Sequence, residues 1–164
     1  MAADEPEAVG LMLESLYGYD YLDGRDTRAT HLKTHVWIAQ IATKYMLPQL
    51  RWAAFAGFGS ASTEAWQCDE FAEAVDMICF LGEEAGGLAD IATKVIIEHA
   101  AALLHDDAYR CFQEVLGKHA SLAISVAKGL SRVGFEKEKE TDDWPSFQLT
   151  KKKKSRKSAM VWDT

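Results

Sequence analysis

The stretch that decides the fold runs from Val36 to Gly57 and reads VWIAQIATKYMLPQLRWAAFAG. Apolar residues recur in its first half at steps of three and four, which places them on one side of a helix. Pro48 interrupts this pattern, because proline lacks a backbone donor and disfavours helical geometry in the preceding residue. Apolar spacing resumes directly after it, and proline is common at the first position of a helix. The stretch therefore predicts two helices joined by a bend, with neighbouring helices packed around them.

Comparable spacing of apolar residues predicts further helices on both sides of this stretch. They cover approximately residues 9–17, 66–81, 88–104, 108–116 and 121–133. The glycine-rich segment from Gly57 to Ser62 predicts a loop, and Gly82, Gly86 and Gly87 predict a turn. The expected fold class is all-α, although the aromatic segment Tyr17–Tyr21 could form one short strand.

Composition points to a protein of the cell interior. The 164 residues are 48% hydrophobic, which is enough for one domain with a core. Three scattered cysteines do not suggest a disulfide framework, so a reducing compartment fits best. No apolar run reaches the roughly 18 residues of a membrane span, and the acidic N-terminus does not resemble a signal peptide. We expect an intracellular protein, cytoplasmic or nuclear, without membrane contact.

The charge is distributed unevenly along the chain. Up to Thr150 there are 12 Lys and Arg against 24 Asp and Glu, which leaves a net charge of −12. Such an acidic body argues against nucleic-acid binding by the folded part. Residues 135–164 are expected to form a disordered charged tail that contains the block KKKKSRK. Its basic residues are Lys151, Lys152, Lys153, Lys154, Arg156 and Lys157.

This basic block has three interpretations that the sequence leaves open. It is typical of a nuclear import signal, it could serve only to keep the chain soluble, or it could contact nucleic acid. Ser155 and Ser158 lie among the bases, and their phosphorylation would cancel part of the positive charge.

Two segments of the chain are similar to the BTB/POZ family, specifically to its compact fungal type. The segment DEPEAVGLMLESLYGYDY (Asp4 to Tyr21) resembles the family's D-P-E-A segment, which ends in an aromatic turn. The segment IAQIATKYMLPQLRWAA (Ile38 to Ala54) resembles the helix that carries the family's K-Y signature. The residues at the most recognisable positions are Leu16, Tyr17, Lys44, Tyr45, Leu47 and Leu50. This sequence departs from the family pattern at Gly18, where Thr-Gly is usual, and at Thr43, where Asp is common.

The resemblance implies a domain organisation and a function. Residues 1–58 would be the C-terminal part of a BTB/POZ-like domain, residues 59–134 a helical extension, and the strand-rich N-terminal half of the family would be absent. The implied function is that of a non-catalytic oligomerisation or adaptor module, truncated at its front. The alternative is a nuclear regulatory helical protein whose basic tail mediates import or nucleic-acid contact.

The expected partner is another protein or a second copy of the chain. A cullin-type ubiquitin ligase is disfavoured, because the hydrophobic–x–acid motif of such adaptors is replaced here by Thr34, His35 and Val36. The predicted interaction and packing surface consists of Trp37, Ile38, Ile41 and Tyr45. Helices at residues 9–16 and 66–81 should cover one side of this surface and leave the remainder open.

No pattern in the sequence predicts catalysis, a metal site or a cofactor. His31 and His35 have the spacing of a two-histidine metal pair, but no third ligand is near, so they are predicted to begin a solvated helix. His99 is interpreted as a packed histidine at the boundary of a core. The cysteines are interpreted as structural thiols, because no basic residue flanks Cys68 or Cys79.

A reporter fusion tests the import interpretation of the basic block. We expect a fluorescent reporter fused to residues 137–164 to accumulate in the nucleus, because clustered lysines and arginines are typical of import signals. The control carries glutamine in place of the six basic residues of KKKKSRK. A reporter that distributes uniformly through the cell with either tail contradicts the interpretation.

Overall fold

The computed structural model describes residues 5–18 and 32–141, with side chains described as far as Val133. These residues form eight α-helices and two short 3₁₀ segments, and no strand occurs among them. The helices are α1 (Pro6–Leu16), α2 (Leu32–Lys44), α3 (Pro48–Ala65), α4 (Asp69–Leu81), α5 (Leu88–Glu98), α6 (Ala100–His105), α7 (Arg110–Lys118) and α8 (Ala120–Thr141). The 3₁₀ segments are Gly82–Ala85 and Asp107–Tyr109. The predicted all-α class is confirmed for this part of the chain, and the part of Tyr17–Tyr21 that is described, Tyr17 and Gly18, is a turn.

Helix α2 is the centre of the fold. It packs against α1, α3, α4 and the 3₁₀ segment Gly82–Ala85. Eight of its 13 residues are buried, which is far more than the single apolar stripe of a surface helix. The buried set comprises Leu32, Thr34, His35, Val36, Ile38, Ala39, Ile41 and Ala42. One continuous hydrophobic core extends from α1 through α2 to α8.

The bend after α2 lies where Pro48 predicts it. The backbone N–H of Leu47 donates to the carbonyl of Ala42 at 2.8 Å, and that of Met46 donates to the carbonyl of Thr43 at 3.3 Å. These two bonds form a Schellman motif, in which the residue at the left-handed position is usually glycine. Here that residue is Met46, with φ of 54° and a side chain that is 85% exposed. Pro48 then starts α3.

Helix α3 runs without interruption through the segment predicted to be a loop. Gly57, Phe58, Ala61 and Ser62 are all buried in it, and the Ser62 hydroxyl donates to the carbonyl of Gly59 at 3.1 Å. Glycine in a helix costs about 1 kcal/mol relative to alanine, but burial of the surrounding side chains outweighs this cost. The loop prediction for Gly57 to Ser62 was therefore wrong. The predicted domain boundary between residues 58 and 59 falls inside α3, and the core continues on both sides of it.

The C-terminal helices follow the predicted order with adjusted ends. The predicted helix at 88–104 is divided at His99 into α5 and α6. Asp106 caps the next segment, because its Oδ1 accepts from the N–H of Ala108 at 2.9 Å. Helix α8 extends to Thr141, so the first residues of the range 135–164 are helical where disorder was expected. The remainder of that range lies outside the described residues.

An aromatic cluster holds the ends of several helices together. The Trp66 ring stacks on the His99 ring with centroids 4.1 Å apart and planes at 8°. The Tyr109 ring is tilted by 36° to the Trp66 ring, with the two centroids 5.7 Å apart. The cluster therefore joins the end of α3, the break between α5 and α6, and the approach to α7. His99 is packed at the core boundary, as the sequence predicts.

The left-handed residue at the bend gives a prediction about stability. We expect Met46→Gly to raise the free energy of unfolding by about 0.5–1 kcal/mol, because glycine adopts positive φ without steric cost and little packing is lost. Met46→Ala is the control, since it removes the side chain but keeps the Cβ. Chemical denaturation would measure both, and a glycine variant no more stable than the alanine variant would contradict the prediction.

Candidate functional site

A cleft of about 610 Å³ opens beside the bend between α2 and α3. Its walls are the first turns of α3 on one side and the 3₁₀ segment Gly82–Ala85 with the start of α5 on the other. The lining residues are Thr43, Arg51, Trp52, Phe55, Ala56, Glu83, Glu84, Gly86, Gly87 and Ile91. We refer to this site as the corner cleft. A smaller cleft of about 300 Å³ adjoins it and shares Thr43 and Arg51.

Aromatic side chains form one wall of the corner cleft. Trp52 is 64% exposed, and its ring meets Phe55 edge to face at a centroid distance of 5.8 Å. The Phe55 ring lies directly against the backbone of Gly86 and Gly87. A Cβ added at Gly87 would be only 3.1 Å from Cε2 of Phe55, so the close approach depends on glycine at this position. The exposed Trp52 is consequently presented on a well-packed base.

The polar groups of the cleft are unevenly placed. Glu83 and Glu84 are exposed on the wall opposite Trp52, and they form no ion pair within the described ranges. Arg51 lies between the two clefts, and its buried Nε has no hydrogen-bond partner among the described residues. The cleft therefore offers two carboxylates, part of one guanidinium group and an aromatic face to an incoming group.

Further apolar side chains are exposed at the bend itself. Met46 lines the smaller cleft, and Tyr45 beside it is 49% exposed. The Lys44 Nζ lies 5.4 Å from the Tyr45 ring centroid, within cation–π range. Together with Trp52, Tyr45 and Met46 make this corner the part of α2 and α3 where large apolar side chains face solvent.

The structure separates the four residues of the predicted interaction surface. Ile38 and Ile41 are 0% and 2% exposed, so they are core residues and cannot contact a partner. Trp37 is partly buried against the core, whereas Tyr45 is half exposed. As predicted, α1 and α4 both pack on α2. The set is not one surface, because Ile38 and Ile41 are enclosed in the core whereas Trp37 and Tyr45 are partly exposed.

The cleft was not found from the sequence. Its walls come from residues about 30 positions apart, and no local pattern links Arg51 and Trp52 to Glu83 and Glu84. A weak signal was available, because Trp52 lies off the apolar stripe of Leu50, Ala53 and Ala54. A tryptophan on the outer face of an amphipathic helix is a candidate contact residue.

The histidines occupy structural positions. His35 is 2% exposed within the core, so the prediction of a solvated helix start was wrong for this residue, and His31 lies outside the described residues. The Nε2 atom of His119 lies 2.7 Å from Oδ1 of Asp76, which joins the α7–α8 junction to α4. That contact spans 43 positions and has no sequence signature. Within the described ranges no group of three or more metal-ligating side chains occurs.

The cysteines differ in their surroundings. Burial raises the pKa of the Cys79 thiol, and the negative charge of Asp76 adds to the effect. A hydrogen bond to the Asp69 carboxylate raises the pKa of the exposed Cys111 thiol, reinforced by the charge of Asp69 itself. Both effects favour the protonated thiol, so neither cysteine is activated as a nucleophile.

The basic block Lys151–Lys157 lies outside the described residues. Among those that are described, no helix is both long and apolar enough to cross a bilayer.

The Asp69–Cys111 pair gives a prediction about reactivity. We expect Asp69→Asn to speed alkylation of Cys111 by iodoacetamide at pH 8 by roughly two- to tenfold, because loss of the carboxylate lowers the thiol pKa and increases the thiolate fraction. Mass spectrometry of the modified peptides would measure the rate at each cysteine. Cys79 serves as the internal control, since its charged neighbour is Asp76. An unchanged rate at Cys111 would contradict the assignment.

Comparison with known proteins adds no assignment to this geometry: no protein-family model, curated protein or solved structure matches the chain. The similarity to the BTB/POZ family accordingly remains a prediction that depends on the residues quoted for it.

Proposed function

We propose that the chain is a non-catalytic protein–protein interaction module of BTB/POZ type, which acts in oligomerisation or as an adaptor. The observation that carries the proposal is the corner cleft, where a tryptophan that is 64% exposed stands beside an otherwise well-packed core. A large exposed aromatic residue next to a concave surface is a common feature of partner-binding sites.

The residue types around the cleft favour a macromolecular partner. Trp, Tyr, Met and Arg are enriched at protein interfaces, and Trp52, Tyr45, Met46 and Arg51 supply one of each. Trp52 lines the cleft and is 64% exposed, so a partner can contact its ring. Small-molecule sites instead enclose most of the ligand surface.

The order of elements supports the BTB/POZ part of the proposal. A short helix carrying the D-P-E-A segment packs on the helix that ends in Lys44 and Tyr45, and Pro48 then begins the next helix. Leu50 of the K-Y signature is buried at 5% exposure, which gives this position a packing role. The range 59–134, for which the resemblance implies a helical extension, contains the end of α3, helices α4 to α7 and most of α8.

Partner choice follows from burial. The partner would be another protein or a second copy of the chain, in the cytoplasm or the nucleus. Thr34, His35 and Val36, at the positions of the cullin-binding motif, are 7% exposed or less. Since these side chains cannot reach a partner without disrupting α2, cullin binding stays disfavoured. The import or nucleic-acid role of the basic block is the alternative proposal and depends on the reporter experiment above.

Substitution of Trp52 tests the proposed function. We expect full-length tagged Trp52→Ala to retain at least about fivefold less of the specific partners than the unmodified chain, since a truncated interface hot spot costs 1–2 kcal/mol or more. Quantitative mass spectrometry of proteins captured from native lysate would measure the difference. Ile124→Ala is the control, because Ile124 is similarly exposed, at 55%, but lies on α8. Identical capture by all three chains would contradict the proposal.

A further inference from the structure

The corner cleft and the C-terminal block have complementary charge. The charged residues that line the cleft are Glu83, Glu84 and Arg51, and the two glutamates belong to a stretch, Glu64 to Asp90, with eight acidic residues and no basic one. The block at 151–157 contains six basic residues and no acidic one. Opposite charges of this kind attract over about 8–10 Å at moderate salt and steer association.

The cleft has the groups that would hold a lysine- or arginine-rich segment. A cationic side chain placed between the Trp52 ring and the Glu83 and Glu84 carboxylates would gain both a cation–π contact and an ion pair. The Nε of Arg51 is buried, so a docked segment would meet only the rest of this guanidinium, whose positive charge offsets one of the two carboxylates.

The direction of α8 decides whether the block reaches the cleft of its own chain. Ser121 and Ser125 share a cavity with Ala89 and Thr93, whereas Gly129 lies against Ile97 further along. Helices α8 and α5 therefore run in the same direction. The corner cleft lies at the start of α5, so α8 leads the chain away from it.

The distance to be bridged is large for an intramolecular contact. Gly129 is level with Ile97, so Gly87, ten residues before Ile97, is level with a point 22 residues before Thr141. With a rise of 1.5 Å per residue, Thr141 therefore lies about 33 Å along the helix axis from the level of Gly87. Ten residues lead from Thr141 to Lys151. They span about 35 Å only when fully extended, whereas a random coil of that length has a root-mean-square span of about 17 Å. A second copy of the chain can present its block to the cleft without this stretching.

We propose that the basic block Lys151–Lys157 of one chain docks in the corner cleft of a second copy, so that the protein self-associates head to tail. The inference rests on the proposed function, since it identifies the partner of the same cleft. The block's cations lie against Trp52, Glu83 and Glu84, and the contact weakens as salt screens the charges.

Sedimentation velocity of the full chain, from about 5 to 200 μM and at low and high salt, tests this arrangement. Two variants each disable one half of the contact: Glu83→Gln/Glu84→Gln in the cleft, and glutamine at all six basic positions of the block. We expect the average mass of the unmodified chain to rise with concentration at low salt. Each variant alone should associate at least tenfold more weakly.

Mixing the two variants separates docking between chains from docking within one chain. The tail variant retains an intact cleft and the cleft variant retains an intact block, so their mixture should form a dimer at concentrations where neither variant associates alone. Glu98→Gln/Glu114→Gln is the control for charge, because both residues are exposed on α5 and α7 away from the cleft. It should associate as the unmodified chain does.

Several results would overturn the inference. A chain that stays monomeric at every concentration, a cleft variant that associates normally, or a mixture that forms no dimer would each do so. If the control variant Glu98→Gln/Glu114→Gln associates as weakly as the cleft variant, the association depends only on net charge, and the inference is overturned as well. If partner capture still depends on Trp52 in these cases, the proposed function stands and only self-docking is lost.

Discussion

The burial of α2 on almost every side is the constraint on which the fold depends. A helix that is covered by α1, α3, α4 and a 3₁₀ segment cannot present a broad face to solvent or to a partner. Eight of its residues are buried, and the elements that pack on α2 together provide this cover. Apart from the partly exposed Lys33, Trp37 and Gln40, α2 is open at its C-terminal end, where the Schellman motif turns the chain into α3. The corner cleft, which we propose as the partner-binding site, lies beside this end of α2.

The sequence predicts what depends on local chemistry. Period-three-to-four spacing and Pro48 were enough to place α2, the bend and the start of α3, and the three glycines near residue 85 correctly predicted a turn. What failed depends on distant packing. Gly57–Ser62 has the composition of a loop, but burial against other helices makes it helical. His35 has the spacing of a helix surface, but α4 and its neighbours enclose it.

The candidate site shows the same division. Trp52 stands out in the sequence only as a residue off the apolar stripe, and the glutamates that face it are some 30 residues away. The charge contrast between the acidic body and the block at 151–157 is visible in the composition alone. Composition does not show where the block lies relative to the cleft. The parallel arrangement of α5 and α8 supplies this information and favours docking between two chains over docking within one.

The uninterrupted course of α3 has a mechanical consequence for the cleft. One 18-residue helix, about 27 Å long, carries Arg51, Trp52 and Phe55 near its start and buried Phe58 and Ser62 further along, so this wall moves only if the core moves with it. The facing wall is made differently: a single 3₁₀ turn, whose hydrogen bonds have poorer geometry, lies between Gly82 and Gly86, both at positive φ. A docked segment therefore meets one wall that is fixed by α3 and a second wall that consists of a single 3₁₀ turn. The position of the aromatic face is therefore set by the fold, whereas the exposed side chains of Glu83 and Glu84 can change rotamer to meet a docked cation.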